Sequence, residues 1–175
     1  MIKRLIIHHS SDPSSYAQLE RIDTYHQSLG FPKSSIGYWV GYTYFLEANG
    51  QVIQTRRDDE VQAHTKGWND GSIGICLAGD FNISTPTFEQ YNSLRALLNE
   101  LCKKYNILPI NVSGHKNFRL TSCPGKLLPD SAIRGLIIMP NISQLQLMLD
   151  MLKAQVRLLL LKRSLGAAVD NEDLV

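Results

Sequence analysis

At 175 residues, with 43% apolar and 19% charged residues, the chain has the make-up of a globular protein with one well-packed core and a short appendage. A net charge of +2 makes no case for nucleic-acid binding, and three scattered cysteines are too few for a disulfide framework, which fits a reducing compartment. The start of the chain enters Leu5-Ile6-Ile7 without a secretory leader, and Lys162 and Arg163 cut the Leu158–Leu161 cluster short of membrane-spanning length, so a soluble cytoplasmic protein is expected.

Residues 2–9 (Ile-Lys-Arg-Leu-Ile-Ile-His-His) read as a strand broken at Ser10-Ser11-Asp12-Pro13, and the near-continuous apolar run suits a central strand covered on both faces. Neighbouring strand residues point to opposite faces, so only one of His8 and His9 can serve a given site, and the pattern does not say which. Ser14 to Leu29 reads as a helix stopped by Gly30, with Leu19, Ile22, His26 and Leu29 at helical spacing and His26 a packed or surface residue. Residues 41–48 and 51–55 flank Asn49-Gly50, the strongest short-range hairpin signal. Tyr42, after a glycine at the start of the first hairpin strand, is placed to bring its hydroxyl to the sheet's rim.

Arg56 to Gly71 is polar and irregular and contains His64, Trp68 and Asn69; it reads equally as a binding wall or a solvated connection. Residues 72–79 return to a buried strand with Cys76 as a core thiol. Thr87 opens a long helix with a capping box to Gln90 and an apolar stripe of Phe88, Tyr91, Leu94, Leu98, Leu101 and Cys102. Ile107 to Val112 is expected as a last short strand, and Asp130 as the cap of a short helix through Ile138. Beyond Pro140, residues Ile142, Leu145, Leu149, Leu152, Val156 and Leu159 form a heptad seam. This helix could pair with a second copy, pack back on the domain, or lie on a membrane surface; the tail after Gly166 is expected to fray.

The stretch Gly114 to Gly125 carries the chemistry. His115 and Cys123 offer zinc's two preferred side chains from one loop, and a strand-end histidine from residues 8–9 completes a His-His-Cys set. Three protein ligands and an open position are the pattern of a catalytic zinc site, whose expected chemistry is hydrolysis of an amide or ester. The His-Glu-x-x-His motif of metalloproteases is missing, and a purely structural site would need Cys76 or Cys102 to leave its apolar face.

Five stretches in register resemble one family: Leu5-Ile6-Ile7-His8-His9-Ser10, Val40-Gly41-Tyr42-Thr43-Tyr44-Phe45, Ala63-His64-Thr65-Lys66-Gly67-Trp68-Asn69, Ser72-Ile73-Gly74-Ile75-Cys76-Leu77-Ala78-Gly79, and Gly114-His115 through Thr121-Ser122-Cys123-Pro124-Gly125. Over roughly residues 3–130 the chain is similar to the zinc-dependent N-acetylmuramoyl-L-alanine amidases (amidase type 2), which include phage amidase-lysozymes and peptidoglycan recognition proteins. The resemblance implies zinc on His8, His115 and Cys123, and Tyr42 as the residue that orients water or stabilises the oxyanion. Some phage members carry a lysine two positions before the cysteine; here Thr121 takes that place and can donate a hydrogen bond without a charge. His64, Trp68 and Asn69 would line the groove for the glycan and stem peptide.

The implied fold is α/β, a central mixed β-sheet of about five strands flanked by helices, with an amidase domain over 1–139 and a helical extension over 140–175. The implied partner is peptidoglycan, cut between N-acetylmuramic acid and L-alanine. A phage endolysin released to the wall through a holin is the leading expectation. Alternatives are a non-catalytic peptidoglycan-binding module, a cytoplasmic muropeptide-recycling amidase, and a regulator that binds a protein partner; the heptad over 142–159 offers a homo-oligomer.

Overall fold

The computed structural model describes residues 1–14, 18–138 and 142–172, with side chains masked at several positions of the last helix. Contacts divide the chain into two compact units, Met1–Ile137 and Ile138–Val175.

The first unit is built on a five-stranded sheet of order β3-β2-β4-β1-β5. Its strands are β1 (Arg4–His9), β2 (Tyr44–Leu46), β3 (Val52–Gln54), β4 (Ser72–Leu77) and β5 (Val112–Gly114). All neighbours are parallel except the β2–β3 hairpin, so the sheet is mixed. The Asn49-Gly50 turn closes that hairpin, with Gly50 at φ +83°. β1 and β4 are buried almost throughout, as their unbroken apolar runs require of central parallel strands.

Register sorts the side chains onto two faces. Leu5, Ile7, Ile73, Ile75, Leu77, Tyr44 and Leu46 share one face and pack in a single cluster with Leu94, Leu97, Leu98 and Leu101 of α2 (Phe88–Tyr105). On the other face Phe45 and Cys76, with Ala78 just beyond β4, meet Leu19 and Ile22 of α1 (Gln18–Ser28). His8 lies opposite Cys76 in the β1–β4 register and so belongs to this second face, whereas His9 belongs to the α2 face.

α2 begins as its sequence predicts: Thr87 accepts from Gln90 N–H, and the Gln90 side chain accepts from Thr87 N–H. Its stripe differs at one end, where Phe88 in the first turn is 75% exposed and Leu97 takes the buried place instead. The first helix starts at Gln18, while Ser14 lies outside it and residues 15–17 are not described. Strand 41–48 shortens to Tyr44–Leu46, which leaves Tyr42 in the bend before β2. The expected strand 107–112 is a 3-10 turn over Pro109–Asn111 followed by β5, because Pro109 cannot donate to a ladder and opens a tight turn. Asp130 is the first residue of α3 (Asp130–Gly135) rather than its cap, and its carboxylate turns back to accept from Gly114 N–H at 2.9 Å and from the Asn117 amide.

In the second unit α4 runs from Ile142 to Glu172, so helix continues past Gly166 where a frayed tail was expected. No helix among the described residues is long and apolar enough to cross a membrane.

Candidate metal centre

The site lies at the carboxyl ends of the parallel strands, where an α/β sheet commonly binds its ligands. Ile7 pairs with Gly114 across β1–β5, so the next residues, His8 and His115, leave the sheet side by side with ring centroids 4.4 Å apart. Cys123 comes from the following loop, which folds back so that Lys116 N–H meets Cys123 O at 2.8 Å. Glycine is required at 114 for this approach: a Cβ there would lie 2.4 Å from Pro124 Cδ.

The donor atoms of His8, His115 and Cys123 all lie within 4.8 Å of one another, the one such cluster among the described residues. Cys123 Sγ is 3.7 Å from His8 Nδ1. A tetrahedral ion with bonds of zinc length sets its donors about 3.5 Å apart, so the spacing fits. The chemistry fits as well. Burial, followed by the neighbouring His64 and His115, holds His8 well below its ordinary pKa, and burial and Arg119 lower that of His115, so both rings offer lone pairs at neutral pH. Burial pushes the Cys123 thiol up to about 12, opposed by the His9 N–H that donates to its sulfur at 3.4 Å. A cation that displaces the thiol proton would meet a sulfur already supplied with that donor.

His9 is packed for a different purpose. Phe81 N–H donates to its Nδ1 at 3.1 Å, so the ring proton sits on Nε2 and is given to Ser11 Oγ at 2.8 Å. Asp80, 3.6 Å from Nδ1, completes a Ser-His-Asp grouping in appearance alone, because the tautomer leaves Ser11 without a base.

Tyr42 faces His8 with centroids 5.0 Å apart. Burial, then Cys76 and Cys123, raises its hydroxyl pKa well above the ordinary value, so it keeps its proton and can act as a donor. Cys76 is the buried core thiol its neighbours predict, and it lies on this face, where it adds to the rise in the Tyr42 pKa. Thr121 is exposed, and its hydroxyl accepts from Cys123 N–H at 3.2 Å, which leaves its own proton free.

The loop 56–71 is neither a groove wall throughout nor a solvated connection, since Arg56, Gln62, His64 and Thr65 are buried in it. His64 sits under the sheet rim with Nδ1 3.0 Å from His8 Nε2, and burial drives its pKa down to about 3. Asn69 Oδ1 accepts from His64 N–H and Thr65 N–H and so ties the loop to itself. Of the three expected groove residues only Trp68 is open, at 40% exposure, with Phe118 5.1 Å away and the Arg4 guanidinium 4.6 Å over its ring. The sequence reading missed Ser72 and Thr65, which hydrogen-bond His64; the only signal was their closeness to it in a loop that returns to β4.

Comparison with known proteins places these residues in a family. The N-acetylmuramoyl-L-alanine amidase family profile matches residues 1–126. Peptidoglycan-recognition protein SC2 of Drosophila melanogaster is 30% identical over 128 residues, covering 69% of this chain and 66% of that protein, just under two thirds of its length. Among solved structures, the N-acetylmuramoyl-L-alanine amidase LysC from Clostridium intestinale is 30% identical with a TM-score of 0.67, covering 77% of this chain and 83% of that one. A complex of tracheal cytotoxin with the ectodomains of peptidoglycan recognition proteins LCa and LCx matches at 28% identity and TM-score 0.61, over 72% of this chain and 77% of that one. Sequence and sheet architecture agree over the same stretch, and the chain belongs to the N-acetylmuramoyl-L-alanine amidase family.

Proposed function

We propose that the chain is a zinc-dependent hydrolase of the amide bond between N-acetylmuramic acid and L-alanine in peptidoglycan. The observation that carries this reading is the convergence of His8, His115 and Cys123 beside a protonated Tyr42, in a chain of the amidase family. His8, His115 and Cys123 are the residues that would hold zinc. Zinc, when bound, supplies Lewis acidity to a water molecule and to the scissile carbonyl oxygen.

The remaining work falls to the chain's own groups. Tyr42, kept neutral by burial, donates its O–H to the oxygen on which charge develops. Thr121, whose oxygen is held by Cys123 N–H, directs its free hydroxyl proton to the same oxygen and replaces a lysine's charge with a dipole. Trp68, with Phe118 and Arg4, forms the wall against which glycan or stem peptide rests, while His64 and Asn69 stand behind the wall.

The chain's setting in this proposal is a phage endolysin made in the host cytoplasm and reaching the wall through a holin. The heptad spacing of Leu149, Leu152, Val156 and Leu159 in α4 would let the helix pair with a second copy.

Purified sacculi incubated with the protein, with and without a zinc chelator, test the activity. The expected result is chelator-sensitive release of free stem peptides with the glycan intact. Binding without release would replace the enzyme with a recognition module, the reading suggested by the recognition proteins among its relatives.

A further inference from the structure

His64 is turned inward, and the directions of its hydrogen bonds can be traced from a fixed end. The carbonyl oxygens of Trp68 and Asn69 can only accept, and Ser72 Oγ lies 2.6 Å and 3.1 Å from them. The single Ser72 hydroxyl proton is committed there, so a lone pair faces His64 Nε2 at 3.0 Å. His64 Nε2 therefore carries that ring's proton and leaves Nδ1 bare. Nδ1 lies 3.0 Å from His8 Nε2, so His8 in turn carries its proton on Nε2 and presents a bare Nδ1 towards Cys123. Thr65 Oγ1, 3.0 Å from His64 Nδ1 and 3.4 Å from His8 Nε2, acts in the same sense by donating to the first and accepting from the second.

The sheet makes room for this ring at one position. A Cβ on Gly74, in β4, would fall 2.5 Å from His64 Cγ and 2.7 Å from its Cδ2. Gln62 holds the same stretch, donating to Ser72 O at 2.6 Å and accepting from Gly74 N–H at 2.9 Å.

We propose that His64, oriented by Ser72, is a positioning residue that fixes the proton of His8 on Nε2 and aims the His8 Nδ1 lone pair at the metal. The proposal rests on the reading of His8, His115 and Cys123 as a metal site. Ligand histidines elsewhere use a carboxylate or carbonyl for this purpose. Here a second, neutral imidazole does it, so the acceptor brings no negative charge to the site.

Two measurements on the full chain test it. Long-range proton–nitrogen correlation of the imidazoles should find both His8 and His64 protonated on Nε2; either ring protonated on Nδ1 overturns the proposal, whether or not metal binds. Competition titration with a zinc chelator should find His64→Leu weaker by about 10- to 100-fold, with a changed absorption spectrum of the cobalt-substituted protein. His64→Asn, which keeps an acceptor near the Nδ1 position, should recover most of the affinity, a rescue that a merely structural role would not give. If His64→Leu does not fold, Ser72→Ala takes its place, with several-fold weaker zinc binding expected. Unchanged affinity and spectrum in the folded variant overturn the positioning role alone. Unchanged zinc affinity in Cys123→Ser overturns the metal reading beneath it.

Discussion

Arg56→Met should unfold the first unit's loop scaffold at a cost that can be worked from its contacts. Arg56 is 2% exposed and the largest fully buried side chain among the described residues. Its guanidinium donates to Val40 O at 2.5 Å, Val61 O at 3.0 Å and Pro32 O, with Trp39 O at 3.5 Å, and so joins the segment leading into Tyr42 to the loop carrying His64. Methionine fills the stem's volume but strands the carbonyl oxygen of buried Val40, worth about 1–3 kcal/mol without a donor, and forfeits the charge-assisted hydrogen bonds to the more exposed Val61 O and Pro32 O. Allowing for partial rehydration, the loss should be about 3–5 kcal/mol, a large part of a typical stability of about 5–15 kcal/mol. Urea unfolding followed by tryptophan fluorescence gives the number, and a thermal melt should fall by roughly 10–20 °C. Arg56→Lys should rescue little, because one ammonium cannot reach carbonyls spread around a planar fork. A loss under about 1 kcal/mol for the methionine variant refutes the account, since it would mean the carbonyls find water or other donors.

Other consequences are equally open to measurement. Cys123→Ser should lower zinc content and sacculus lysis by more than about 100-fold, as a hydroxyl replaces a thiolate ligand; undiminished lysis would sink the zinc mechanism. His26 has its pKa lowered to about 4, chiefly by burial, with Arg56 adding to the shift and Asp23 opposing it. The unfolded ring binds its proton near the ordinary 6.5, so between those values the unfolded state carries more protons and acid favours it. Urea-measured stability should thus rise with pH across that window, by about 1.4 kcal/mol per unit from this group, and a flat profile contradicts the burial argument. Thr43 Oγ1 is buried with no hydrogen-bond partner among the described residues, so the isosteric Thr43→Val should be neutral or stabilising by about 1 kcal/mol; a clear loss on urea unfolding would reveal a partner for the hydroxyl. Truncation after Ile137 should leave the first unit folded, because Met1–Ile137 is a compact unit of its own, and light scattering should show any dimer reduced to monomer. An insoluble truncation argues that the C-terminal helix belongs to the core.

What could be read in advance was whatever local pattern decides. The apolar runs of β1 and β4, the Asn49-Gly50 turn and the Thr87–Gln90 box each carry their outcome within a few residues, and each formed as expected. The outcomes that differed depend on distant neighbours. Asp130 had a local option, to cap α3, and took a remote one at Gly114, a choice that no spacing rule expresses. His64 stands in a polar loop and looks like a surface residue until β4 brings Gly74 beneath its ring. The choice between His8 and His9 turned on which face α2 covers, which the alternation of a strand leaves undetermined. Cys76, read as core from its apolar neighbours, is fully buried as expected, and the register adds only that it lies on the face of His8.

The position of β1 bears on how the protein is made. It precedes the other strands of its sheet in the chain, yet both of its partners come much later, β4 from residue 72 and β5 from residue 112. Of the three converging donors, His8 emerges first and Cys123 last, 115 positions on. A nascent chain that has not yet reached His115 therefore has a single one of the three donors. Such long-range closure is slow compared with local pairing. The donors meet only after nearly the whole first unit has left the ribosome, so only termination before Cys123 yields fragments with an incomplete donor set.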